Sequence, residues 1–238
     1  ANTLPFPFPM EDVSQKKETL LESDSYIALQ DEPLMTHHNL PHQTSLFVGR
    51  TKEVEDISEL LGDPTTRLIT ILGPGGIGKT RLAISVAQAE MNAYEDGVFF
   101  VELAPLDHVD QIIPALADTL HIKFDTRQSP KEQVIDHLQQ RQLLLVMDNF
   151  EHVMGGVELV NEILNAALNV TVIATSRERL NLKMETVYMI GGISFSGEKA
   201  LTGEDLMANL ESLPAVQLFI QTAQRIMPDF EPSVDNLP

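Results

Sequence analysis

The chain has 238 residues, 43% of them apolar, which leaves room for one sizeable domain with its own core plus appendages. It carries 16 Lys+Arg against 35 Asp+Glu, a formal net charge of −19, and its basic residues form no cluster, which argues against direct binding of nucleic acid or of an anionic membrane. The absence of cysteine removes disulfides and thiolate metal sites, no signal peptide opens the chain, and the longest aliphatic run, Leu143–Met147, is far too short to span a bilayer, so a cytoplasmic location is expected.

Residues 1–43 read as a largely flexible linker. Pro5, Pro7, Pro9, Pro33 and Pro41 interrupt them, and only Lys16–Leu21 shows a short helical pattern. The His37, His38 and His42 group fits a solvated linker better than a metal site. From Leu46 the pattern becomes regular. Val54, Ile57 and Leu61 follow a helical spacing that Asp63-Pro64 ends. Arg67–Leu72 is a β-branched apolar run that predicts a buried strand, followed by a glycine-rich turn and a helix from Thr80 to about Met91. Val98–Leu103 predicts a second strand, and Val109, Ile112, Ile113, Leu116 and Leu120 an amphipathic helix.

Ser129-Pro130-Lys131-Glu132 has the form of a capping box with Pro at the first helical position. Leu143–Met147 predicts a third strand, apolar on both faces. Val160, Ile163, Leu164, Ala167 and Leu168 mark a further helix. Val170–Thr175 and Thr186–Ile190 predict the last two strands, and a helix runs from about Pro214 to Met227. Strands buried on both faces and alternating with helices imply a parallel sheet covered on both sides. Residues 191–213 are loop-like, and the chain starts without Met and ends in a polar stretch, as a piece of a longer protein would.

Gly73-Pro74-Gly75-Gly76-Ile77-Gly78-Lys79-Thr80 fits G-x-x-x-x-G-K-[ST] at every fixed position, between a predicted strand and a predicted helix. Triphosphate oxygens crowd the main chain of such a loop, so side chains must be absent at Gly75, Gly76 and Gly78. The next helix turns its positive end to the phosphates, Lys79 sets a compact charge near the β/γ oxygens, and Thr80 offers a hydroxyl to Mg²⁺. Gly73, Ile77 and Arg81 complete the expected contacts of the loop.

Leu143–Asp148 is an apolar strand ending in an acid, the Walker B form, and Asp148 is expected to hold Mg²⁺ through its water shell. Val98–Leu103 lies between the two motifs in sequence, which leaves space for an extra strand between the P-loop strand and the Walker B strand. This arrangement resembles the additional-strand branch of P-loop ATPases, and the expected fold is an α/β P-loop NTPase, a parallel five-stranded sheet sandwiched by helices. In that branch an acid often follows the Walker B Asp; here Asn149 follows, and Glu151 is the nearest carboxylate and candidate base. This predicts slow hydrolysis, or hydrolysis that needs a rearranged site. Arg177, just beyond the fourth strand, can reach a γ-phosphate. The alternatives are a surface pairing of Arg177 with Glu178 or Glu185, or Arg179 in its place.

With these motifs in order the chain resembles the STAND ATPases, most closely the NB-ARC-like ATPases of bacterial LuxR-type and AfsR-type regulators. The resemblance covers about residues 39–230. It rests on Asn39-Leu40-Pro41 leading into Phe47-Val48-Gly49-Arg50, on Gly73–Thr80, on Val146–Val153, on Ala174-Thr175-Ser176-Arg177-Glu178, and on Ala215-Val216-Gln217-Leu218-Phe219. It implies that Val48, Gly49 and Arg50 lie against adenine, with backbone contacts from Val48 and Gly49, and that Arg177 senses the γ-phosphate. It also implies an ADP-bound closed form and an ATP-bound open form that self-associates, inside a larger multidomain regulator. The family's G-L-P motif is absent; the chain ends at Leu237-Pro238.

The expected organisation is a linker (1–43), a P-loop nucleotide-binding domain (44–192), and a connector with the first helix of a truncated helical domain (193–238). The function expected is a signal-transduction switch that binds ATP/ADP with Mg²⁺ and hydrolyses slowly. An AAA+-like remodelling ATPase, or a nucleotide-binding scaffold without hydrolysis, is the alternative. No substrate-acceptor motif or Arg-rich lid favours a small-molecule kinase.

Overall fold

The computed structural model describes residues 37–43, 49–192, 214–227 and 229–230; Lys16–Leu21, Val48 and residues 193–213 lie outside the described residues. Five strands, β1 (Leu68–Leu72), β2 (Gly97–Glu102), β3 (Leu143–Asp148), β4 (Val170–Ser176) and β5 (Glu185–Met189), form one sheet. The spatial order is β2–β3–β4–β1–β5, and every pairing is parallel. The extra strand between the P-loop strand β1 and the Walker B strand β3 is thus β4. The strand that intervenes in sequence, β2, has β3 as its one partner among the five strands and is the outer strand on that side.

Alternation along the strands builds two cores. Ile69 and Ile71 of β1, Leu144 and Val146 of β3 and Ile173 of β4 pack on one face, with Leu82, Ala83, Val86 and Ala87 of helix α2 (Lys79–Ala89) and Ile57 of helix α1 (Thr51–Gly62). Leu68, Leu143, Leu145, Met147, Val172 and Ala174 face the other way. They meet α3 (Ile112–Thr119), α4 (Pro130–Gln139) and α5 (Val157–Ala166) through Leu116, Leu138 and Ile163. All six residues of β3 are buried, as a central strand covered on both faces requires. Burying each such Leu or Val contributes about 1.5–3 kcal/mol.

A local signal opens α4 where the sequence predicts. Ser129 Oγ accepts the Glu132 N–H at 3.3 Å, and Glu132 Oε2 accepts the Ser129 N–H at 2.9 Å, the reciprocal capping box at the start of α4. Leu168 departs from its expected place in the helix. The helix stops at Ala166, and Leu168 is 71% exposed in the turn into β4. Arg67 closes that junction, its guanidinium donating to Val170 O at 2.9 Å and to Ala167 O at 2.5 Å.

The segment expected to end the linker lies along the edge of β2. His37 O accepts the Val98 N–H at 2.9 Å, and His38 bridges Val98 in parallel. The Asn39 carboxamide pairs with both backbone groups of Phe100, at 2.6 and 2.8 Å. Leu40 is buried. These contacts occupy backbone groups that an edge strand otherwise leaves open. The final described helix, α6, spans Pro214–Ile226. No helix among the described residues is long and apolar enough to cross a membrane.

Candidate functional site

The loop between β1 and α2 is held from below. The Gly73 N–H donates to Ser176 O at 3.2 Å, and a Cβ on Gly73 would collide with Ile190. Gly76 and Gly78 have φ of 74° and 99°, left-handed values that disfavour a side chain. Gly78 caps α2, so the helix begins at Lys79 and its free N–H groups open toward the loop. Lys79 is buried and folds back over the loop, Nζ donating to Gly73 O at 2.9 Å and Pro74 O at 3.1 Å. Thr80, one residue on, is half-buried.

Asp148 ends β3 on the face that carries α2. It is 6% exposed, and its Oδ1 accepts the Thr175 hydroxyl at 2.6 Å. The same hydroxyl accepts the Asn149 N–H at 2.9 Å, where the chain turns with φ 61° and ψ 47°. That left-handed turn, tolerated by Asn better than by most residues, sends the chain into the 3₁₀ turns of Phe150–Gly156. Glu151 lies there, and Glu151 Oε1 accepts Arg177 Nε at 2.9 Å. The Arg177 guanidinium also stands over the loop, within 3.4 Å of where a Gly75 Cβ would lie. The partner of Arg177 is thus Glu151, neither Glu178 nor Glu185. Glu185 instead accepts the Leu180 and Asn181 N–H groups at 2.9 and 2.8 Å.

The structure therefore brings Lys79, Asp148, Arg177 and Glu151 to the carboxyl ends of β1, β3 and β4. In open parallel sheets ligands bind in that crevice. The set also fits a magnesium-loaded phosphate. Mg²⁺ takes one or two protein oxygens and completes its shell with water and phosphate. A buried Asp148 at the end of β3 and the Thr80 hydroxyl next to Lys79 in sequence are donors of the kind that demand calls for. Among the described residues no group of three or more His, Asp or Glu could hold a metal by itself. The Glu151 Oε2 atom is buried and finds no hydrogen-bond partner among the described residues.

Val48 lies outside the described residues, and Gly49, with φ 75°, is exposed. The Arg50 side chain is 4% exposed and turned inward. It pairs with Glu53 at 2.6 Å and donates to Gly191 O at 2.8 Å and Ile77 O at 3.4 Å. Arg50 thus ties the start of α1 to the phosphate loop and to the end of β5. Ile77 enters through that carbonyl. The Arg81 carbonyl accepts Gln43 Nε2 at 3.2 Å. Sequence reasoning named Thr175 only as part of a motif. Its signal was a polar residue near the carboxyl end of the buried strand that pairs with the Walker B strand.

A parallel sheet of this order, with a glycine loop and lysine after β1 and a buried acid ending β3, defines a P-loop ATPase domain. The chain belongs to the family of AAA domains, whose model matches residues 63–183. A Mycobacterium tuberculosis protein provisionally named an HTH-type transcriptional regulator is 32% identical over 165 residues, 69% of this chain and 17% of that protein. An uncharacterized Mycobacterium bovis protein is 26% identical over 200 residues, 84% of this chain and 46% of that protein. The chain thus spans less than half the length of either relative. Among solved structures, a STAND protein with a tetratricopeptide repeat sensor from Pyrococcus horikoshii is 17% identical with a TM-score of 0.44, covering 78% of this chain and 28% of that one. Cdc6p from Pyrobaculum aerophilum is 17% identical with a TM-score of 0.47, covering 76% and 50%.

Proposed function

We propose that this chain is the nucleotide-binding part of a signal-transduction switch, binding ATP and ADP with Mg²⁺ and hydrolysing ATP slowly within a larger multidomain regulator. The observation that carries this reading is the Arg177–Glu151 pair over the phosphate loop. The Arg177 guanidinium beside the loop is engaged by Glu151, the carboxylate three residues beyond Asp148. That favours a resting site which a terminal phosphate must rearrange before hydrolysis. The relative named as a transcriptional regulator supports the setting, since it is several times longer than this chain.

In this reading residues 44–192 form the nucleotide-binding domain, and 193–238 the connector and first helix of a helical domain. Gly73, Gly75, Gly76, Ile77 and Gly78 cradle the phosphates with Lys79, while Thr80 and Asp148 hold the cation. Magnesium, when bound, neutralises phosphate charge. Lys79 leaves its loop carbonyls for phosphate oxygens, Arg177 reports the γ-phosphate, and Val48 to Arg50 and Arg81 flank the nucleoside side. Glu151, freed from Arg177, orients the attacking water. Asn149 cannot take a proton, so turnover is slow.

The test is the identity and fate of nucleotide on the purified protein, with Lys79→Ala as control. Co-purifying ADP and turnover slower than about one per minute, against an enzyme median near 10 s⁻¹, support the switch. Brisk steady turnover supports a remodelling ATPase, and tight binding without turnover a scaffold. Equal binding by wild type and Lys79→Ala refutes the assignment.

A further inference from the structure

Thr175 is fully buried at the end of β4, and its hydroxyl has two partners on the neighbouring strand's exit. It donates to Asp148 Oδ1 at 2.6 Å and accepts the Asn149 N–H at 2.9 Å. The short O–H···O⁻ contact marks a charge-assisted bond, the stronger kind. A carboxylate at the end of a strand has freedom about its last torsion. One oxygen bound to Thr175 restrains that freedom and leaves the other oxygen outside this bond. The second bond fixes the left-handed turn at Asn149, and through it the start of the segment that carries Glu151.

We propose that Thr175 is a positioning residue for magnesium: its hydroxyl presets the Asp148 carboxylate so that the cation binds without reorganising the acid. The proposal rests on the nucleotide-binding reading above. Residues that orient a metal-binding side chain typically change metal affinity 10- to 100-fold when altered. A purely structural hydroxyl would instead affect folding and leave the cation dependence alone.

The test compares Thr175→Val, which keeps the shape and deletes the hydroxyl, with Thr175→Ser, which keeps the hydroxyl. A fluorescent ATP analogue is titrated onto each protein at fixed protein concentration, across a magnesium series and in EDTA. The valine variant should need about tenfold more Mg²⁺ for half-maximal binding. Its affinity in EDTA should stay within about twofold of wild type, and the serine variant should follow wild type in both arms. Thr175→Ala carries the same comparison if the valine variant loses its melting transition. An unchanged magnesium profile in the variant lacking the hydroxyl overturns the proposal. So does an equal loss in the serine variant, or a loss of the same size in EDTA. Wild type that binds no analogue, or no better than Lys79→Ala, removes the nucleotide reading and this proposal together, whereas normal wild-type binding with an unchanged valine profile removes this proposal alone.

Discussion

At the scale of single residues, Arg177 and Glu151 decide how the site distinguishes its ligands. The Arg177 side chain is 61% exposed and the Glu151 side chain 11%, so the pair spends little energy on desolvating the arginine. A phosphate oxygen offers the same guanidinium a stronger, charge-assisted partner. Only ATP places a γ-phosphate to compete. Arg177→Ala is therefore expected to weaken ATP binding by about 10- to 100-fold, the equivalent of a hydrogen bond to a charged group. ADP binding should change by less than about threefold, so the ATP-to-ADP affinity ratio collapses. Calorimetry with the two nucleotides measures it, and equal loss for both would show that Arg177 holds the loop rather than reads the phosphate. The candidacy of Arg177 was legible from its place after an apolar strand. Its partner was not, because Glu151 reaches it only through the left-handed turn at Asn149. A three-residue separation from Asp148 does not specify such a turn. Arg50 teaches the same lesson. The resemblance set the Val48–Arg50 segment against adenine, but the bonds of the Arg50 guanidinium to Glu53, Gly191 O and Ile77 O, the last two far away in sequence, were not legible.

At the scale of elements, periodicity and caps gave the five strands and most of the helices, because buried strands and amphipathic helices carry their own signals. Strand order and edge pairing were less accessible, since they depend on partners far away in sequence. The stretch read as linker joins β2 through Asn39 and His37, a pairing with a separation of 61 residues in the case of Asn39 and Phe100. A second long-range tie secures the same strand. The Asp96 carboxylate accepts the Gln142 N–H at 2.7 Å and Arg141 Nη1 at 2.5 Å, joining the entry of β2 to the turn between α4 and β3. The Gln142 N–H, more than any other group, lowers the pKa of Asp96; partial burial opposes it, and Arg141 and His137 add to the lowering. A lowered folded pKa means that the folded state favours the ionised carboxylate. The stabilisation is therefore complete above the unfolded value near 3.9, about pH 4, and is lost as pH falls through the folded value. Asp96→Asn should cost about 1 kcal/mol at pH 7, the size of one such bond. Urea unfolding of both proteins from pH 7 to pH 3 should show the gap closing below about pH 4. A gap that stays constant to pH 3 would rule out the ionised carboxylate as its source.

At the scale of the whole molecule, the proposed ligand couples to folding itself. Its expected contacts come from the loop after β1, from Asp148 at the end of β3 and from Arg177 after β4, three central strands whose pairings run through both cores. No unfolded chain presents these groups together, so nucleotide binds the folded form alone. Mass action then stabilises that form by about 2.7 kcal/mol when free ligand stands at 100 times its Kd. For a chain of this size each kcal/mol moves the melting temperature by about 2–4 °C, which predicts a rise of roughly 5–10 °C with magnesium and ADP. The rise should grow with the logarithm of ligand concentration, as a linkage effect must, and a nonspecific salt effect of the nucleotide would not depend on Lys79. In Lys79→Ala the same additions should move the midpoint by less than about 1 °C. Scanning calorimetry over a hundredfold range of ADP separates the two. A rise of equal size in the variant would place the bound nucleotide outside the phosphate loop, and with it would fall the assignment of Gly73 to Thr80 as the cradle.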